Sequence, residues 1–274
     1  MRRGGATALK GDMKTYIPPL QSLADGYRRA EAEVVRAYFK KRRTKRQHIY
    51  WLKAQGFKEQ AVIKPLLKML GSFHSRLDNG VDRHEFEEIA EKLAEETKHA
   101  RLVMDLIEEI GGKQLKPTDL TWLPEDKKLA RVRARYSKTF AALLHGSKAP
   151  SEKEMLRIDE ELERAAVTLT EGGGGALYEV CVRLQKGTIE RKIAAAFREI
   201  REDEADHKNA GARNLAKLVR SRNDFARAAE IIREVSSQRL RMRNEQFGFP
   251  LSEEKIRELE LRCVKSASLK AGPH

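Results

Sequence analysis

The spacing of apolar residues restricts this chain to a helical fold. Between residues 48 and 77 the apolar side chains recur at intervals of three and four, as one face of an α-helix requires. They are Leu52, Val62, Ile63, Leu66, Met69, Leu70, Phe73 and Leu77. We find no stretch that alternates between apolar and polar residues, as a half-buried strand would. Ala, Leu, Glu, Lys and Arg dominate the sequence and favour helix, so the chain is predicted to be all-α.

Glycine and proline mark the ends of the predicted helices. We predict helices over residues 20–47, 48–77, 82–110, 125–145, 151–186, 188–219, 224–244 and 252–265, a basic tail at 1–18 and one domain over 19–268. Asn79-Gly80 and Gly187 are short connections, so the helices beside each are antiparallel neighbours. The roughly 40 residues between these hairpins can cross a helix about 45 Å long. This order predicts a four-helix bundle over residues 48–219, built from two antiparallel hairpins and a long crossover, with further helices at both ends.

Two predicted helices carry a glutamate three residues before a histidine. Glu96 precedes His99, and Glu204 precedes His207. Residues three apart share one face of a helix, with Cβ atoms about 5–6 Å apart, so each pair can bind one metal ion. Both pairs follow the apolar period and are expected to face the core, where a charge is costly unless it is paired or binds metal. The other interpretations are exposed charges on Glu- and Lys-rich helices, and core histidines with one hydrogen bond each.

A dinuclear site needs further carboxylates from the partner helices. Glu171 lies 16 residues before Gly187 and Glu204 lies 17 after it, so antiparallel helices place both at one height. On the first bundle helix the best candidate is Glu59, which follows the apolar stripe. Its separation from Glu96 is 37 residues, compared with 33 for the second pair. Three other residues remain alternatives to Glu59: Gln60, Glu33 and His74.

The order Glu, Glu-x-x-His, Glu, Glu-x-x-His resembles the ligand pattern of the ferritin-like di-iron carboxylate superfamily. That superfamily includes bacterioferritins, rubrerythrins, ribonucleotide reductase small subunits, bacterial multicomponent monooxygenases and acyl carrier protein desaturases. The resemblance covers roughly residues 48–219. It implies two iron ions, bridged by Glu96 and Glu204, with manganese or zinc as alternative metals. The implied ligands are Glu59, Glu96, His99, Glu171, Glu204 and His207.

Four consecutive glycines follow Glu171 in what is predicted to be the middle of a helix. They are Gly172, Gly173, Gly174 and Gly175. Each glycine costs about 1 kcal/mol relative to alanine in a helix, so the run suggests a use. Missing side chains beside a metal ligand would leave space for O₂ or a substrate, and Tyr178 would line that space or belong to the ordinary core. The alternatives are close helix packing and a break between two shorter helices.

Comparison within the superfamily favours an enzyme. The chain lacks the cysteine-ligated module of a rubrerythrin, and ferritins lack the further helices predicted here at both ends. The resemblance therefore implies an O₂-dependent di-iron oxidase or oxygenase, served by an electron donor protein and acting on an organic substrate. Asp203 and Asp206 are candidates for a hydrogen bond to the ligands. The alternatives are a ferritin-like protein for iron oxidation and storage, and a metal-free basic helical protein that binds nucleic acid or another protein.

The chain is strongly basic, with a formal net charge of +14. Its densest cationic run extends from Lys40 to Arg46, and it is predicted to be a solvated helix face or a hinge between two helices. Alternatively, it docks an anionic substrate, an acidic carrier or electron donor, or RNA, as in a tRNA hydroxylase.

Composition also bears on the compartment. No apolar run approaches a membrane span, and no apolar segment follows the charged N-terminus as in a secretory signal. Cys181 and Cys263 are the two cysteines, which is too few for a disulfide framework. We therefore expect a cytoplasmic protein without a membrane span. The sequence does not give the oligomeric state, and a homodimer is one candidate.

Overall fold

The computed structural model describes residues 16–74, 80, 82–137, 160–203 and 210–268. These residues form helices and connections without any strand, which confirms the all-α prediction. The helices are α1 (Ile17–Phe39), α2 (Lys45–Ala61), α3 (Ile63–His74), α4 (Arg83–Gly111), a 3₁₀ turn (Pro117–Asp119), α5 (Pro124–Ala134), α6 (Glu160–Cys181), α7 (Thr188–Asp203), α8 (Ala210–Leu218), α9 (Arg222–Gln246) and α10 (Glu253–Ser268). Within the described part of the chain, none of these helices combines the length and apolar content needed to cross a bilayer.

The first predicted helix boundary, at residues 47–48, was wrong. Helix α1 ends at Phe39 and α2 begins at Lys45, so the cationic run is mainly the hinge between them, one of the two interpretations above. Thr44 begins α2 with a reciprocal cap: its Oγ1 accepts from the Gln47 backbone N–H at 3.3 Å, and Gln47 Oε1 accepts from the Thr44 N–H at 2.9 Å.

A proline divides the helix predicted over residues 48–77. Helix α2 ends at Ala61 and α3 begins at Ile63. Pro65 has no N–H to donate, and its ring crowds the carbonyl of Ala61 four residues earlier. Val62 keeps helical dihedral angles, φ −80° and ψ −19°, so the division is a local break in the hydrogen-bond ladder rather than a loop.

The four predicted bundle helices, the first of them divided into α2 and α3, pack in the predicted hairpin order. Helices α2 and α3 pack against α4, α6 packs against α7, and α4 contacts α7. Gly187 precedes α7 with a φ of +86°, a left-handed conformation that favours glycine. One buried apolar cluster draws on all four helices. Its members include Trp51 and Leu52 of α2, Val103 and Ile107 of α4, Leu177 and Cys181 of α6, and Ile193 and Phe197 of α7.

The helices at the two ends of the chain are integral to the fold. Helix α1 packs against α6, α9 and α10, and α9 also packs against α5 and α6. A second apolar cluster joins them, and Leu20, Tyr27 and Val34 of α1 are almost fully buried in it. Because α1 also contributes Val35 and Tyr38 to the first cluster, it connects the two cores.

Candidate metal centre

Three of the six predicted ligands meet between α2 and α4. One carboxylate oxygen each from Glu59 and Glu96 and a ring nitrogen of His99 lie within 4.8 Å of one another. Glu59 is 6% exposed and His99 is 1% exposed, while Glu96 is half-buried. The structure thus brings Glu59 to the Glu-x-x-His pair despite its longer separation along the chain.

Gly56 permits α2 to approach its neighbours closely near this group. A Cβ atom at this position would lie 3.0 Å from Leu120 Cδ2, which is unusually close, and 3.4 Å from Val103 Cγ1, which is in contact. Gly56 lies one helical turn before Glu59, and Val103 lies one turn after His99. The absent side chain therefore helps to bring the two halves of the group together.

Asp203 of α7 holds one nitrogen of the His99 imidazole. His99 Nε2 lies 3.0 Å from Asp203 Oδ2, and Lys98 Nζ donates to the same oxygen at 2.9 Å. A carboxylate can only accept, so Nε2 is the protonated nitrogen. His99 Nδ1 is buried and has no hydrogen-bond partner within the described residues. Metal-binding histidines use this arrangement, with one nitrogen held by a carboxylate and the other offered to the metal.

The charge of Asp203 is stabilised by its partners. Burial by itself would raise the pKa of Asp203, but the hydrogen bonds from Lys98 and His99 outweigh it and leave the pKa below its usual value. Asp203 is therefore ionised at neutral pH and remains an acceptor for His99.

Two buried side chains donate to one oxygen of Glu59. Gln55 Nε2 lies 2.5 Å from Glu59 Oε1, and the Tyr178 hydroxyl of α6 lies 3.3 Å from the same atom. Tyr178 thus contacts a predicted ligand, in addition to its place in the apolar core. We did not predict Gln55, although its position four residues before Glu59 on one face of α2 was a readable signal.

The other residues predicted as ligands or as their alternatives either lie away from this group or fall outside the described residues. Glu204, His207 and Asp206 lie outside the described residues, as do the side chains of Glu171 and His74. Glu33 pairs with Arg262 on α10 rather than joining the group. The alternative Gln60, next to Glu59 in α2, stays a prediction.

Helix α6 continues through the glycine run from Gly172 to Gly175, so the interpretation of a break there was wrong. The backbone of Glu171 lies in the same continuous helix. Gly175 is buried.

Comparison with known proteins found no relative of this chain. No protein-family model matches this sequence, and no curated protein or solved structure matches it significantly. The group formed by Glu59, Glu96 and His99 is therefore the feature that bears on function.

Proposed function

We propose that this protein is a di-iron carboxylate oxidase or oxygenase built on a ferritin-like four-helix bundle. The observation that carries the proposal is the meeting of Glu59, Glu96 and His99, with His99 Nδ1 buried and without a hydrogen-bond partner in the described part of the chain. Two carboxylates this close repel each other, and a bound cation relieves that repulsion. Imidazole and carboxylate ligands together suit iron and manganese.

The helix arrangement supports the bundle. Two helical hairpins, α2/α3 with α4 and α6 with α7, share one apolar cluster, and α5 lies in the chain segment that joins them. Glu-x-x-His ligands on the second helix of each hairpin are typical of such bundles. Helix α7 contacts α4, and the last residue of α7, Asp203, bonds to His99. The predicted ligands Glu204 and His207 come shortly after Asp203 in the sequence.

The residues of this chain would hold the metals and set the protonation of the ligands. Glu59, Glu96 and His99 would bind part of the centre, and Glu171, Glu204 and His207 are predicted to complete it. Two iron ions would supply O₂ reduction coupled to oxidation of an organic substrate, with electrons from a donor protein. Asp203 keeps the proton of His99 on Nε2, and Gln55 and Tyr178 donate to Glu59.

Metal content after expression with added iron tests the proposal. Wild-type protein should hold about two iron ions per chain. His99→Gln should lose most of the iron, whereas His84→Gln, which changes an exposed histidine at the start of the same helix, should retain it. Glu96→Gln and the exposed Glu88→Gln form a second matched pair. Iron-free wild-type protein, or equal iron in the His99→Gln and wild-type proteins, would overturn the proposal.

Turnover separates an oxygenase from an iron store. An oxygenase loaded with two iron ions should consume O₂ repeatedly when given a chemical reductant. A storage protein should instead take up Fe(II) and O₂ in a fixed ratio and accumulate iron far beyond two ions per chain. Iron accumulation without repeated O₂ use would replace the proposed function by the storage alternative.

A cationic pocket favours RNA binding as a second function. Arg36, Lys40 and Arg183 line an open cavity of about 280 Å³ at the ends of α1 and α6, and none of the three is ion-paired within the described residues. The one carboxylate in its lining, Glu179, is paired with Arg28 at 2.7 Å. Phe39 contributes an aromatic ring that a base can stack on. We expect wild-type protein to shift labelled tRNA in a gel, with an affinity that falls steeply as salt rises. Arg36→Gln with Lys40→Gln should weaken the shift, and a shift unchanged by both would exclude this site.

A further inference from the structure

A buried chain of polar side chains runs from α9 to the candidate metal centre. Arg243 Nη1 donates to Gln246 Oε1 at 2.6 Å and lies 3.5 Å from Gln55 Oε1. Gln246 Nε2 donates to Gln55 Oε1 at 3.0 Å, and Gln55 Nε2 donates to Glu59 Oε1 at 2.5 Å. These four residues, the buried polar chain, are each at most 7% exposed. Such a chain is expected to be fully hydrogen-bonded, because an unpaired polar group is costly in the interior.

Two cationic groups fix the direction of the hydrogen bonds in the buried polar chain: the Arg243 guanidinium and the Lys58 ammonium, which also donates to Gln246 Oε1 at 2.6 Å. Arginine donates and never accepts, so the side of Gln246 that faces it must be the amide oxygen. The amide nitrogen of Gln246 then faces Gln55, so the amide oxygen of Gln55 accepts the hydrogen bond. The nitrogen of Gln55 is left facing Glu59. Reversing either amide would place two donors against each other, a cost that keeps both amides in this orientation.

The charge of Arg243 is balanced away from the metal centre. Its Nε donates to Glu31 Oε2 of α1 at 3.3 Å, and Glu31 is 1% exposed. Burial raises the pKa of Glu31, and the Arg243 guanidinium acts in the opposite direction. The group that Glu59 meets at the end of the buried polar chain is the neutral amide of Gln55. Glu59 Oε1 accordingly meets an amide N–H donor whose orientation is fixed.

We propose that Gln55, oriented by Arg243 and Gln246, is a positioning residue that holds Glu59 Oε1 and so sets how Glu59 binds the metal. The proposal rests on the proposed metal centre and deepens it. If the buried polar chain only holds α9 against α2, replacing Gln55 should lower the stability of the fold without changing metal affinity or coordination. Hydrogen bonds to ligating carboxylates typically alter metal affinity by about 10–100-fold.

Binding of Co(II) alone to the full chain distinguishes the two roles, because its visible absorption spectrum reports coordination geometry. Gln55→Met keeps the length of the side chain and removes both amide functions. We expect it to weaken Co(II) binding about tenfold, measured by competition with a chelator, and to change the Co(II) spectrum. The matched control is Gln238→Met on α9. Gln238 Nε2 donates to Glu125 Oε2 at 2.8 Å, and neither residue belongs to the metal centre. Gln238→Met should leave both affinity and spectrum unchanged.

A second variant covers the case in which Gln55→Met does not fold. Gln55→Asn keeps the amide but shortens it by one methylene, so it cannot span both Gln246 and Glu59, and it should show the same weaker binding and altered spectrum. Wild-type affinity and spectrum in a folded Gln55 variant, with binding lost in His99→Gln, would overturn the positioning role and leave the metal centre standing. Wild-type binding in both Gln55 and His99 variants would instead overturn the metal centre itself.

Discussion

The two ring nitrogens of His99 have different environments: Nε2 faces a carboxylate, and Nδ1 is buried without a hydrogen-bond partner among the described residues. Nε2 needs an ionised acceptor, and Asp203 provides it at 3.0 Å from a different helix. Lys98, immediately before His99, donates to the same carboxylate and helps to keep it ionised. Lys98 and Asp203 are partly exposed, so we expect their ion pair to add little to stability. Its consequence is that the proton of the imidazole stays on Nε2, facing Asp203.

Replacing Asp203 should therefore affect metal binding more than folding. Asp203→Asn retains an oxygen for His99 Nε2 but loses the negative charge, and we expect Co(II) affinity to fall by roughly tenfold. Asp105→Asn is the matched control, since Asp105 forms an exposed pair with Arg101 on the outside of α4. Chelator competition measures both. Equal affinity in the two variants would show that the Asp203 charge does not support the ligand.

Contacts at the residue scale differ in how far the sequence reveals them. The pairing of Glu96 with His99, and of Gln55 with Glu59, follows from helical spacing alone, because residues three or four apart share a face. The contact of Arg243 with Gln55 joins positions 188 residues apart. This contact exists only because α9 packs on α2, and the spacing of residues within either helix does not predict that packing.

Helix ends show which local signals outweigh helix propensity. Lysine and arginine are good helix formers, so the run from Lys40 to Arg46 favoured an unbroken helix. The Thr44–Gln47 cap and the missing N–H of Pro65 decided otherwise, and both are visible in the sequence. The turn signal at Gly187 was sufficient to place the second hairpin, because its φ of +86° favours a residue without a Cβ atom.

Two glycines provide a matched test of backbone conformation. Gly187→Ala forces a Cβ into a left-handed conformation and against the Glu190 carboxylate, so we expect a loss of about 1–2 kcal/mol in the free energy of unfolding. Gly71→Ala lies inside α3, where a Cβ meets nothing within 4 Å, and should add up to about 1 kcal/mol. Urea unfolding measures both. Shifts of the same sign would contradict the assignment of strain to Gly187.

The C-terminal helices do more than extend the helical fold. Helix α9 packs on α1, α5 and α6 and places Arg243 and Gln246 beside α2. The apolar period showed that these helices exist and bury one face. It could not show which neighbour each face meets, because many packings satisfy the same pattern. For that reason we predicted the hairpins from their short connections, but not the central position of α1.

Metal binding should stabilise the whole chain, because Glu59 lies on α2 and both Glu96 and His99 lie on α4. A ligand at a hundred times its dissociation constant adds about 2.7 kcal/mol to the free energy of unfolding, if it binds only the folded state. For a chain of this size that is a rise of roughly 5–10 °C in the melting temperature, measured with Mn(II) by differential scanning calorimetry.

Gly187→Ala separates this linkage from general stability. It should lower the starting melting temperature yet show the full Mn(II) shift, because Gly187 does not contact the predicted ligands described on α2 and α4. His99→Gln should show almost no shift whatever its starting temperature. An equal Mn(II) shift in His99→Gln and wild type would mean that the ion binds elsewhere, and Glu59, Glu96 and His99 would then be a buried polar cluster without a metal.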